Sequence, residues 1–172
     1  PHPSPALLHP PRPAASAIGA SLAPVSYTAV LSTADGTTGN ALCELYALAP
    51  GNSAVRNIST RGEVGSGDDV MIGGFIVGGT DSSKVVIRAI GPSLSGGGVV
   101  GALADPILEL HNAEGSLIFQ NDNWRSDQEQ QLIDSTITPT SDQAAAIVST
   151  LTPGAYIPIA RGAGTPTSMA LT

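Results

Sequence analysis

Three groups of residues have types and spacings suited to chemistry. The first is Asn121-Asp122-Asn123, followed by Asp127 and Glu129. These side chains offer hard oxygen ligands, and calcium takes six to eight oxygens, often from one loop. Asn121, Asp122, Asn123 and Asp127 are therefore a candidate calcium loop, although the glycine and the glutamate twelve on of an EF-hand are missing. The same residues also suit an Asn/Asp turn whose side chains bond their own backbone, with Trp124 packed over it. The second group, Gly91-Pro92-Ser93-Leu94-Ser95, resembles a nucleophile elbow but ends in serine and runs into Gly96-Gly97-Gly98 instead of a helix. The three histidines do not complete a triad: His2 and His9 lie in a proline-rich stretch and His111 beside a turn. The third group, Gly96–Gly101, formally matches G-x-G-x-x-G. That motif needs a helix N-terminus to present backbone N–H groups to a pyrophosphate, and Asp105-Pro106 stops any helix almost at once. We therefore expect no catalytic residue, no enzyme activity and no cofactor beyond the calcium candidate.

Bulk composition narrows the class further. Of 172 residues, 20 are glycine and 14 proline, and charged residues make up only 12%, which disfavours a helical bundle and suits short strands joined by tight turns. Aromatic residues are scarce, so the core must come from Val, Ile, Leu and Ala. The net charge is −7, with a single lysine, Lys84, and no Lys/Arg cluster; nucleic acid is not an expected partner. No run approaches the roughly 18 apolar residues of a membrane span. The chain begins at Pro1 without Met, as a processed chain would. It shows no charged-then-apolar signal segment, so an extracellular or cell-surface location is inferred only indirectly. The one cysteine, Cys43, has no intramolecular partner. Its place in the alternating run Ala41–Tyr46 predicts a small buried hydrophobe, with an intermolecular link as the alternative.

Stepping outward from these residues, the chain reads in three parts. Residues 1–24 hold seven of the 14 prolines and are expected to form an extended, polyproline-like arm, because proline fixes φ and removes a backbone donor. Residues 25–49 are read as a β-hairpin, with strands at Ser26–Thr33 and Asn40–Leu48 flanking an Asp35-Gly36 turn. Residues 50–172 are read as an antiparallel β-sandwich, with strands predicted at Val55–Thr60, Val70–Val77, Lys84–Ile90, Ile107–His111, Ser116–Gln120, Ala144–Thr150 and Ala155–Arg161, and from Thr167 onward. Ser126-Asp127-Gln128-Glu129 has capping-box spacing and predicts one helical turn. Arg61 and Arg88 are expected to pair with Asp68, Asp69 or Asp105.

An internal repeat ties the ends together. Leu22-Ala23-Pro24-Val25-Ser26-Tyr27 and Leu151-Thr152-Pro153-Gly154-Ala155-Tyr156 both read L-x-P-x-x-Y at an offset of 129, and seven of 22 ungapped positions are identical. The first copy continues into Glu44-Leu45-Tyr46-Ala47-Leu48; the second stops at Thr172. A sheet built from residues 50–172 is then expected to lack a closing strand, and an open edge is a template for another chain. The spare strand Asn40, Ala41, Leu42, Cys43, Glu44, Leu45, Tyr46, Ala47, Leu48 is the candidate donor. Donation within one subunit would close its own fold; donation between copies makes a heterologous, head-to-tail contact, which builds an open polymer where it does not close into a ring.

The segments Asn57–Asp68, Ile72–Gly79, Val86–Leu94 and Asp105–Leu110 resemble a repeat module of very large secreted bacterial surface proteins. With Asn121-Asp122-Asn123-Trp124 and Pro153-Gly154-Ala155-Tyr156, the second half is similar to bacterial pre-peptidase C-terminal β-sandwich domains. The resemblance covers roughly residues 50–172 and implies a noncatalytic, jelly-roll-like module of an exported protein, with no substrate implied. The chain departs from it in carrying the hairpin at its N-terminus and in having no attached catalytic domain. We expect an all-β, jelly-roll-like sandwich that serves as a structural subunit of an extracellular filament or surface array. The alternative is a carbohydrate- or cell-surface-binding module, with a surface glycan as partner.

Overall fold

The computed structural model describes residues 17–32, 41–46, 57–65, 68–164 and 168–171. Contacts divide the chain into two units, residues 1–56 and 57–172, each described by itself. The second unit holds every strand among the described residues: β1 Arg61–Val64, β2 Met71–Ile72, β3 Phe75–Val77, β4 Ser83–Ala89, β5 Pro106–Asn112, β6 Leu117–Asn121, β7 Ala145–Leu151, β8 Gly154–Gly162 and β9 Ser168–Leu171. A 3-10 turn, Pro92–Gly97, and one short helix, α1 Glu129–Asp134, complete it. The fold is all-β and antiparallel.

Three sheets form. β8 is the hub of the largest: β5 lies on one side of it, with β6 beyond, and β2 and β3 both pair on the other. β4 pairs with β7, and β1 with β9. The inner positions of β5, Leu108 and Leu110, lie opposite Ala160 and Pro158 of β8, and all four are buried, as period-2 alternation requires. Leu108, Leu110 and Ala160 share one apolar cluster with Val64, Met71 and Val77, with Ala89, Ala145, Ile147 and Leu151 of the β4–β7 pair, and with Leu103 from a connection. Phe75 and Tyr156 stack within the same sheet, ring centroids 5.6 Å apart. The Tyr156 hydroxyl donates to the Thr152 carbonyl at 2.9 Å, which satisfies the one polar atom the ring carries inward.

β7 is buried on both faces. Ala145 and Ile147 face the main cluster, while Ala146 and Val148 face a second one made by Trp124 and Leu132. This explains why Ala144–Val148 reads as a continuous apolar run: a stretch covered on both sides has no polar face to show.

β4 to β8 lie where alternation and turn residues place them. Elsewhere the structure differs from expectation. The strand predicted at Val55–Thr60 forms instead at Arg61–Val64, because the ladder with β9 begins at Arg61 and buries Val64. The strand predicted over Val70–Val77 is split into β2 and β3 at Gly73-Gly74. A Cβ at Gly73 would sit 3.2 Å from the Pro158 ring, a tight contact at the point where the Gly73 N–H donates to the Pro158 carbonyl at 2.9 Å. The capping box does not form. α1 starts at Glu129 with Gln128 as an N-cap that makes no side-chain cap, because Gln128 and Ser126 are engaged elsewhere.

In the first unit, residues 17–32 and 41–46 carry no strand, so the hairpin expected over 25–49 is not formed among the described residues. A two-stranded hairpin with no third strand or packed face is marginal in water, which accounts for this. The Asp35-Gly36 turn and most of the proline-rich arm lie outside the described residues.

Candidate assembly edges

Open strand edges are where a β-module meets other chains, and this one treats its edges unequally. The free side of β7 is plugged by side chains from the loop between β6 and α1. The Gln128 carboxamide pairs with Val148 as a neighbouring strand would: its Nε2 donates to the Val148 carbonyl and its Oε1 accepts from the Val148 N–H, both at 2.8 Å. Asn121 Oδ1 accepts the Ala146 N–H at 3.0 Å, and the Trp124 N–H donates to the Ala144 carbonyl at 2.9 Å. The Ala144 carbonyl, the Ala146 N–H and both backbone groups of Val148 are thus taken by the Trp124 backbone N–H, Asn121 and Gln128, and this stretch of the edge is blocked to another strand.

The candidate calcium residues belong to this plug. Asn121 is buried, and its Nδ2 donates to the Asn123 carbonyl, to Ser126 Oγ and to Asp127 Oδ2 at 2.9–3.3 Å. Ser126 Oγ donates in turn to Asp127 Oδ2 at 2.8 Å. The structure therefore brings Asn121, Asn123 and Asp127 together, while Asp122 faces solvent. Among the described residues no group of three or more His, Cys, Asp or Glu is placed to hold a metal ion. Trp124 is buried beneath this loop. Its Nε1 donates to the Ser141 carbonyl at 3.1 Å, and the Arg125 guanidinium lies 4.0 Å over its ring. Arg125 is held in that position by Asp142, at 2.6 Å, and by Glu129.

The solvent side of the large sheet carries a polar cluster that the sequence does not announce. Glu109 is buried although it is on the outer face of β5, because Arg161 and His111 close over it. His111 Nε2 lies 2.9 Å from Glu109 Oε2, and its Nδ1 lies 3.0 Å from the Gly115 carbonyl. The bond to Glu109 raises the His111 pKa most, the Gly115 carbonyl adds to it, and the Arg161 charge opposes it. The cluster is therefore expected to stabilise the fold fully at pH below the ordinary histidine value of about 6.5. That contribution is lost as pH rises through the higher folded-state value. Titration of the His111 ring by NMR checks this: Glu109→Gln is expected to lower the midpoint, and an unchanged midpoint contradicts the assignment. The histidine is committed to this cluster, while Ser93 sits in the 3-10 turn Pro92–Gly97.

Two expectations for charged and thiol groups are corrected. Among the described residues neither Arg61 nor Arg88 ion-pairs with Asp68, Asp69 or Asp105. Arg61 is exposed, which removes its need for a carboxylate, and Arg88 donates to the Ile137 carbonyl at 3.2 Å. Cys43 is exposed, not buried. Alternation buries a residue only where the strand has a sheet to face, and Ala41–Tyr46 pairs with no strand among the described residues.

The two copies of the repeat have opposite fates. Leu151 and Tyr156 are 4% and 8% exposed, whereas their counterparts Leu22 and Tyr27 are 60% and 54% exposed. On β8 the inward residues are Tyr156, Pro158 and Ala160; the offset maps them onto Tyr27, Ala29 and Leu31, and the outward ones onto Ser26, Thr28, Val30 and Ser32. Of the expected donor strand, Ala41–Tyr46 is described and exposed throughout; Asn40, Ala47 and Leu48 lie outside the described residues. Facing it in sequence, Asn57–Thr60 runs into β1 without strand pairing, and Ile58 is exposed.

No protein-family model, curated protein or solved structure matches the chain. No helix among the described residues is long and apolar enough to cross a membrane.

Proposed function

We propose that this chain is a non-catalytic structural subunit of an extracellular filament or surface array, a jelly-roll-like module joined head-to-tail by β-strand complementation. The observation that carries this reading is the contrast between the repeat copies. One copy of L-x-P-x-x-Y packs into a core, and the other holds the same apolar residues in solvent. Burying a side chain such as Leu22 or Leu31 is worth about 1.5–3 kcal/mol, so an unsatisfied copy of a core strand pair is a strong drive toward a second copy of the module. The plugged β7 edge supports the same view, since it removes one place where another strand could add.

The extracellular setting rests on the resemblance to secreted bacterial repeat modules, and the acidic, lysine-poor composition is compatible with it. A glycan-binding role has less support: its aromatic platform would be the sole tryptophan, and Trp124 is buried. The exposed Tyr27 and Tyr46 lie in the segment read here as the donor. Sedimentation velocity on the full chain is expected to show a concentration-dependent series of species that collapses to one monomer when residues 1–49 are removed. The deletion leaves all nine strands and both apolar clusters in place. A full chain that stays monomeric across the range contradicts the reading.

A further inference from the structure

The β1–β9 ladder and the repeat together define which residues meet at the joint. Partners in that ladder sum to 232, as in Arg61 with Leu171 and Val64 with Ser168. Subtracting the repeat offset of 129 leaves 103, so the N-terminal copy in the same register places Cys43 opposite Thr60, Glu44 opposite Ser59, Leu45 opposite Ile58 and Tyr46 opposite Asn57, while the place opposite Arg61 is held by Leu171. We propose that Cys43–Tyr46 of one copy adds antiparallel to Asn57–Thr60 of a second copy, extending β1 backward in this register. The proposal rests on the head-to-tail reading above and gives it a specific joint.

Four observations carry it. The acceptor stretch Asn57–Thr60 leads straight into a paired strand yet carries no pairing of its own and is exposed. The donor stretch is extended by sequence pattern and equally unpaired. The register then puts like with like. Val64 is buried on the core side of β1, and period-2 alternation puts Gly62, Thr60 and Ile58 on that same side. Leu45 and Cys43 fall opposite Ile58 and Thr60, so the exposed Leu45, at 69%, and Ile58, at 60%, cover one another. Glu44 and Tyr46 fall on the other side, opposite Ser59 and Asn57, where solvent receives them. Finally, the outer side of β7 is occupied by Gln128, Asn121 and Trp124, which removes one competing edge.

Cys43 is the only cysteine, so it serves as the probe. Isotope-labelled full-length chain carrying Cys43 is mixed with unlabelled full-length chain carrying Cys43→Ser and Thr60→Cys, and exposed to a mild oxidant. Paired residues on one face lie within disulfide reach, whereas the next residue along points away, so the Thr60→Cys partner is expected to cross-link to Cys43 about ten-fold more than a Ser59→Cys partner. Mass spectrometry identifies the mixed-label linked peptides. Equal cross-linking at 59 and 60, or none at either, overturns the register. Cross-linking confined to 60 with no filaments supports the joint while removing the filament reading. Filaments that depend on residues 1–49 without cross-linking at 60 overturn the joint and leave that reading standing.

Discussion

Trp124→Ala is expected to cost about 3–5 kcal/mol of folding stability, the range for emptying a large aromatic site in a core. Trp124 is 3% exposed and forms the second cluster with Leu132, Ala146 and Val148, on the face of β7 turned away from the main core. Its loss opens a cavity there and leaves the Ser141 carbonyl without the indole donor. Arg125 loses the ring it covers as well. The effect should extend to the edge plug, because the Trp124 N–H and the Asn121 and Gln128 side chains all depend on the path of the same loop. Trp124→Phe keeps most of the ring and removes the indole N–H, so it is expected to cost about 1 kcal/mol, the net worth of one hydrogen bond, because the Ser141 carbonyl still accepts the Ala144 N–H at 3.2 Å. Trp124 is the sole fluorophore of its kind, so denaturation is followed by far-UV circular dichroism. A loss below about 1 kcal/mol for the alanine variant would show that the cluster closes around the gap.

The second large effect belongs to Gly91. It is buried at the start of the 3-10 turn after β4, and a Cβ there would lie 2.1 Å from the Leu103 carbonyl oxygen and 2.9 Å from Leu103 Cβ. Its φ of −114° suits any residue, so the constraint is space and not backbone conformation. The obstacle is main chain, and Leu103 is itself fully buried in the main cluster, so neither side yields without moving a core connection. Gly91→Ala is expected to destabilise by about 3 kcal/mol, the upper part of the usual overpacking range. Gly96→Ala in the same turn meets nothing within 4 Å and is the control. Thermal denaturation of the two variants checks this; equal midpoints contradict the close packing at Gly91.

The sequence and the structure agree where a segment's chemistry is local. Ile107–His111 alternates, Asn112–Gly115 turns, and Ala155–Arg161 alternates again, so β5 and β8 are readable from residue type alone. The fold class follows from many such segments separated by glycine and proline. What was not legible depends on partners distant in sequence. Glu109 looks like an ordinary outward residue until the β5–β8 register sets Ile107 opposite Arg161 and brings the guanidinium to its carboxylate. Gln128 looks like part of a capping box, yet its carboxamide serves a strand 20 residues away. For Asn121 and Asp127 the sequence offers both a calcium loop and a hydrogen-bonded turn, and the bonds of the turn are visible only in the structure. Cys43 looks buried because alternation implies a sheet, and alternation does not say whose sheet it is. The repeat was visible from seven identities, but which copy is satisfied and which is not is visible only in the burial of Tyr156 against Tyr27.

The central claim is that the N-terminal copy of the repeat joins one subunit to the next. Electron microscopy of the full chain, beside the chain lacking residues 1–49, tests it most directly. Filaments in the first sample and uniform small particles in the second are the expected result. Uniform small particles in both samples, or filaments in both, would contradict it.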